Sequence, residues 1–229
     1  MKQYPFYIKS SRIILTSLFL ILSVLTDAQN NDNPDLPQFL YRGFSSGVIK
    51  MKNGKSQAME MNYNMITGNM VIGKDGKYYD LLNTGSVDTV YLHNSKFIPY
   101  GNAFYEVIYA AAISLYLHHK GYTVHVGKQS AYGTTSQTSS ITSMSSVSTK
   151  SGYYKLELPP DLEVKVDRIY WVNKDNNMLS FKTLKQFLKI FPGNEAELKK
   201  YIKSNHVKID RRDDLIKLMS YCNDIIAEE

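Results

Sequence analysis

The chain has 229 residues, of which 43% are hydrophobic and 21% charged, with 13 Gly and 7 Pro. That composition excludes disorder, collagen and coiled coil as its main account, and the length fits one domain or two small ones. A single cysteine, Cys222, excludes an intramolecular disulfide and the Cys-rich zinc modules. The net charge of +6 comes from scattered basic residues. The dense Lys/Arg stripe of a nucleic-acid binder is not visible, so no nucleic-acid partner is expected.

The first 28 residues carry the clearest signal. Lys2, Lys9 and Arg12 precede an apolar run from Ile13 to Leu25, and Thr26-Asp27-Ala28 then supplies small residues before polar Gln29-Asn30. This is the pattern of a secretory signal peptide cleaved after Ala28. A membrane-spanning helix needs about 20 apolar residues, more than this run provides. The expected protein is exported, to the periplasm or the cell exterior, and is not transmembrane. Removing the leader takes three cations and one carboxylate, leaving +4.

Residues 29–182 read as an antiparallel β domain. Met59, Met61, Tyr63 and Met65 alternate with Glu60, Asn62 and Asn64, the period of a half-buried strand. Turn signals recur about every ten residues: Asn53-Gly54, Thr67-Gly68-Asn69, Asp75-Gly76, Asn83-Thr84-Gly85 and Asn94-Ser95. They predict strands paired in sequence order. Pro99 is expected at a strand end or edge. The apolar run 102–121 fits a helix or two strands, Phe104 to Tyr109 and Ile113 to His118. Its Tyr, Val and Ile content and the local rhythm favour strands.

Residues 129–151 change character, with fourteen Ser or Thr among 23 residues. A polar loop is the expectation, with a Thr-rich strand and an O-glycan attachment region as alternatives. Strands resume at Tyr153 to Leu158, Arg168 to Asn173 and Met178 to Phe181, the last two joined by Asp175-Asn176-Asn177. Trp171 is expected to anchor the core there.

Residues 183–229 read as a helical segment packed on the sheet. Thr183 with Gln186 forms a capping-box pattern, and Asn194 with Glu197 repeats it. Asp210 is expected to open a third helix, with Leu215, Leu218, Met219, Cys222, Ile225 and Ile226 on one stripe. Cys222 on that stripe is expected to be a buried, inert thiol. The fold class predicted is α+β: a curved antiparallel meander, with a partial barrel as its more closed form, and a small C-terminal helical segment.

Candidate chemistry is sparse. Gly43-Phe44-Ser45-Ser46-Gly47 matches G-x-S-x-G, but the next residues read as strand and hairpin, whereas a nucleophile elbow needs a strand-to-helix turn. The Ser45 hydroxyl is therefore expected to be dispensable. His118, His119 and His125 could converge across a hairpin at Lys120-Gly121, with His93 remote, but a zinc site wants a further ligand. Glu60, Asp80, Glu106 and Glu157 are candidate paired carboxylates. Asp88-Thr89-Val90 resembles a short bacterial O-glycosylation acceptor. No catalytic, cofactor-binding or metal residue is assigned. Eighteen tyrosines, two in the leader, fit cross-strand packing or a sugar- or protein-binding face.

The run Leu40 to Leu82, with Gly47-Val48-Ile49-Lys50-Met51-Lys52-Asn53-Gly54 and Met61-Asn62-Tyr63-Asn64, resembles a group of uncharacterised exported β-rich proteins of Gram-negative bacteria. Phe104-Tyr105-Glu106-Val107 and the Ser/Thr-rich segment fit the same group. The resemblance implies no catalytic residue. The leading expectation is a non-enzymatic binding or structural protein of the cell envelope, with protein or glycan as partner. The alternative is a carrier of lipid or another hydrophobic ligand, lined by the five methionines between 51 and 70.

Overall fold

The computed structural model describes residues 36–81, 83–126, 158–159 and 161–227. The leader, the Ser/Thr-rich segment 129–151 and the strand expected at Tyr153 to Leu158 lie outside them, apart from Leu158 itself, which is in no strand. Ten antiparallel strands form one sheet that does not close: β1 (Ser45–Met51), β2 (Ser56–Asn64), β3 (Asn69–Lys74), β4 (Lys77–Asp80), β5 (Val87–Leu92), β6 (Ser95–Tyr100), β7 (Ala103–Tyr109), β8 (Ser114–His125), β9 (Leu162–Lys174) and β10 (Asn177–Phe181). Three helices follow: α1 (Leu184–Leu188), α2 (Glu195–Ser204) and α3 (Arg212–Ala227).

The spatial order is β10-β9-β8-β7-β6-β5-β1-β2-β3-β4. Sequence neighbours pair everywhere except once: β5 leaves β4 and pairs with β1, with Ile49 opposite Val90. The turns behave as their residues dictate. Asp75-Gly76 joins β3 to β4 with φ of 53° and 71°, and Asp175-Asn176 joins β9 to β10 with φ of 52° and 61°. Both are the doubly left-handed geometry that matches strand twist. The β5–β6 turn falls on His93-Asn94, one residue before its expected place, because Leu92 pairs with Ser95.

The run 102–121 is a β-hairpin, not a helix. Its three alanines supply the exposed turn, where the Ser114 hydroxyl bonds the backbone of Ala111. β8 then continues unbroken through Lys120-Gly121 to His125, paired with β9 along its whole length. Pro99 sits in β6 opposite Phe104, beyond the last β5–β6 pair at Phe97, so the missing N–H costs no ladder bond.

Two large cores share one face of the sheet, and a third, small cluster of Leu36, Phe39 and Val71, with Phe44 and Tyr78, covers the other face at β3. Ile49, Met61, Tyr63, Met65, Met70, Val90, Leu92, Phe97 and Phe104 fill the curve of β1 to β7. Leu115, Leu117, Tyr170, Val172 and Phe181 meet Phe187, Phe191, Leu198, Leu215, Leu218, Met219 and Cys222 of the helical segment. The curve is tight enough for the β2–β3 turn to reach β7 and β8. Gly68 O accepts from Phe104 N, and Met65 O accepts from Gly121 N at 2.7 Å. A Cβ on Gly121 would lie 3.1 Å from the Met65 backbone.

The α1 cap is as expected: the Thr183 hydroxyl accepts from Gln186 N, and the Gln186 side chain accepts from Thr183 N. Asn194 does not cap α2 with its side chain. α3 begins at Arg212, two residues after Asp210. Trp171 does not anchor the core; Tyr170 and Val172 do, and Trp171 faces the other side of β9, stacked on Tyr105.

Candidate functional site

A buried polar cluster stands between the two cores. Glu106 alternates with Phe104 and Ile108 on the inner side of β7, which carries its carboxylate into the interior at 5% exposure. Ser95 at the start of β6 donates its hydroxyl to Oε1 at 2.6 Å. His119 Nε2 lies 2.7 Å from Oε2. Arg212, at the start of α3, donates Nη1 to Oε1 and Nη2 to the Val107 carbonyl. Burial alone would raise the Glu106 pKa, but hydrogen bonds from His119, Ser95 and Arg212 outweigh it and hold the carboxyl at about 2. The Tyr63 hydroxyl donates to the carbonyls of Phe104 and His119, and its burial raises its pKa strongly. Every oxygen of Glu106 is thus engaged by protein, which locks the carboxylate as an anion and fastens α3 to the sheet.

Glu106 is the one carboxylate candidate that the fold places in this cluster. Glu60 is exposed on β2, beside an open depression of about 270 Å³ lined also by Phe44, Gly73 and Tyr78. Asp80 is half-buried on edge strand β4, and Glu157 lies outside the described residues. The cluster's partners of Glu106 are a serine, a histidine and an arginine, so the paired carboxylates of glycoside hydrolysis are not assembled here.

The histidines separate because strand residues alternate faces. His119 points inward to Glu106. His118 points outward against Tyr105, with ring centroids 4.8 Å apart. Burial, then Lys120 and His119, lower the His118 pKa to about 4, so the ring is neutral near neutral pH. His125 pairs with Asp161 at 3.2 Å on the surface. The hairpin that would have gathered them does not exist. Among the described residues no three His, Cys, Asp or Glu side chains converge for a metal.

The Ser45 hydroxyl, at the start of β1, lies 2.9 Å from His93 Nε2, a pairing that no local pattern announces. It arises because β1 and β5 are neighbours, with Gly47 opposite Leu92. His93 packs against Tyr41 with the rings tilted 48° and sits in an exposed turn. The strand context lacks the elbow that would present the hydroxyl to a substrate. Gly43 belongs to an irregular approach to β1 that buried Asn62 holds: its amide donates to the carbonyls of Tyr41 and Gly43 at 2.8 and 3.0 Å. Thr89 of the glycosylation-like motif is buried. Burial raises the Cys222 pKa to about 12, an inert thiol.

The face of the sheet opposite the cores carries a row of aromatic residues. Tyr100 on β6, Tyr105 on β7, His118 on β8 and Trp171 on β9 are linked by centroid distances of 5.4 Å (Tyr100–Tyr105), 4.8 Å (Tyr105–His118) and 5.8 Å (Tyr105–Trp171). Tyr105 is closed in by its neighbours, while Tyr100 is 45% exposed. On the same face, Tyr91 of β5 is 43% exposed opposite exposed Val48 of β1. The Trp171 indole N–H is buried without a hydrogen-bond partner among the described residues. Sequence counted the tyrosines; it did not show that register would align these four rings.

The molecule is therefore a mostly β protein with an open ten-stranded sheet and a small helical segment. Among the described residues no helix is long and apolar enough to cross a membrane. No protein-family model, curated protein or solved structure matches the chain.

Proposed function

We propose that this chain is an exported, non-enzymatic binding or structural protein of the cell envelope, with protein or glycan as its partner. The observation that carries it is the aromatic row on one face of a sheet whose other face is filled by two cores. Exposed Tyr, with an apolar body and a polar tip, contributes binding energy at low entropic cost. The leader, with cleavage after Ala28, supports delivery to the periplasm or cell exterior. The resemblance of residues 40–82 to exported proteins of Gram-negative bacteria agrees with that destination. The carrier alternative has less support: Met61, Met65 and Met70 are buried against Tyr63, Phe97 and Phe104, filling the interior that a ligand would need.

Two measurements test the proposal together. N-terminal sequencing of the exported protein is expected to start at Gln29; residues 1–28 retained in a membrane fraction would overturn the export step. The mature protein is expected to co-sediment with isolated envelope material, and Tyr91→Ser with Tyr100→Ser to lose most of that retention with an unchanged circular dichroism spectrum. Equal retention of both proteins would remove the aromatic face from the account.

A further inference from the structure

A second surface feature lies on the helical segment, which packs on the core side of the sheet, away from the aromatic row. Glu197, Lys200, Tyr201 and Ser204 follow i, i+3, i+4 and i+7 spacing along one face of α2. Tyr221 of α3 meets them. Its ring stacks on Tyr201 with centroids 4.2 Å apart and planes 14° from parallel, and its hydroxyl donates to Glu197 Oε1 at 2.7 Å. With Asn205 these side chains line an open groove of about 530 Å³, within the range that small ligands occupy.

The groove's chemistry is specific. Its two half-buried tyrosines supply an apolar wall. Its rim holds one carboxylate, one ammonium, one amide and one hydroxyl. Lys200 and Ser204 have no partner among the described residues, and Asn205 spends only its Nδ2, on the Tyr201 carbonyl. A purely apolar ligand would strip water from these groups without replacing their hydrogen bonds, at a cost. An anion would face Glu197, and a cation would face Lys200. A sugar ring answers all three constraints: its C–H face carries the positive polarisation that an aromatic face attracts, and its hydroxyls both donate and accept. We propose that this groove binds a neutral saccharide of about disaccharide size.

Calorimetric titration of the full chain with maltose, cellobiose and N,N′-diacetylchitobiose tests it. At least one probe is expected to bind saturably. Tyr221→Ala is expected to weaken that binding at least about tenfold, a loss of about 1.4 kcal/mol. Tyr221→Phe, which keeps the ring, should retain most of it. Lys200→Ala with Ser204→Ala, both at exposed positions, should also weaken binding while leaving the fold intact. Tyr91→Ser with Tyr100→Ser should leave it unchanged, so a failure here and a failure of the sheet face are separable. Absence of saturation by all three neutral probes, binding only of a uronic-acid disaccharide, or equal binding by Lys200→Ala/Ser204→Ala and the parent would overturn the proposal.

Discussion

Glu106 is a carboxylate almost closed off from water, with each oxygen occupied by protein donors. Its folded pKa of about 2 lies below the ordinary 4.5. A depressed carboxylate stabilises the fold at pH values above its unfolded pKa, and that contribution is lost as pH falls toward the folded value. Glu106→Gln is therefore expected to cost about 2–3 kcal/mol at pH 7, since a charge-assisted hydrogen-bond set is removed and Arg212 is left half-hydrated. Between pH 4.5 and 2 the wild-type urea midpoint should fall more steeply than that of the variant. Parallel pH curves would mean that the cluster contributes no stabilisation specific to the ionised carboxylate. The sequence marked Glu106 as one of four acidic candidates and no more. Its partners are 11, 13 and 106 residues away, and only strand register and helix docking bring them together. The histidine separation, by contrast, was legible in principle, since adjacent residues of one strand face opposite ways.

At the scale of elements, what was legible was local. The Asp75-Gly76 turn and the stripe on α3 are written in neighbouring residues and appear where those residues place them, whereas the Asn94-Ser95 turn is displaced by one residue and β2 is buried on both faces from Met61 onward. The two cap patterns show the limit. Thr183 has extended backbone, φ −137° and ψ 151°, which aims its hydroxyl at Gln186 N. Asn194 has φ −99° and ψ 6°, and from that backbone its buried side chain makes no capping hydrogen bond to the helix end. Backbone entry, set by the preceding Pro192-Gly193 turn, decided between them. The α3 stripe gives the sharpest test of docking. Leu218 is fully buried and Lys217 exposed, and an amphipathic helix draws most of its stability from packing its apolar face. Leu218→Ala is expected to cost about 2–5 kcal/mol through lost transfer energy and a cavity. Lys217→Ala should stay within about 0.5 kcal/mol. Equal urea midpoints for the two variants would leave the helical segment undocked.

Across the whole molecule, the order of strands is the feature that the sequence rhythm could not supply. Turns at regular spacing predict neighbours in sequence, and nine strand pairs are formed, of which only β1–β5 breaks the order. That pairing depends on how far the sheet curves, a property of total twist and core volume that no local window contains. Its consequence is that the two cores are joined through β7 and β8. Phe104 belongs to one core and Ile108 to the other, on the same strand. Tyr63 of β2 is hydrogen-bonded to the β7 and β8 backbone, and Met65 O to Gly121 N. Loosening the first core should therefore loosen the second, and the described sheet and helices should unfold in one transition. Met61, fully buried on β2, and Trp171, the only tryptophan, on β9, serve to measure this. Met61→Ala is expected to lower the urea midpoint reported by Trp171 fluorescence as far as the midpoint reported by far-ultraviolet circular dichroism, with the slope m unchanged. A circular dichroism midpoint that falls while the fluorescence midpoint holds would show that the curved sheet of β1 to β7 and the helix-backed sheet of β7 to β10 melt as separate units, and that the hydrogen bonds of Tyr63 and Gly121 do not couple them.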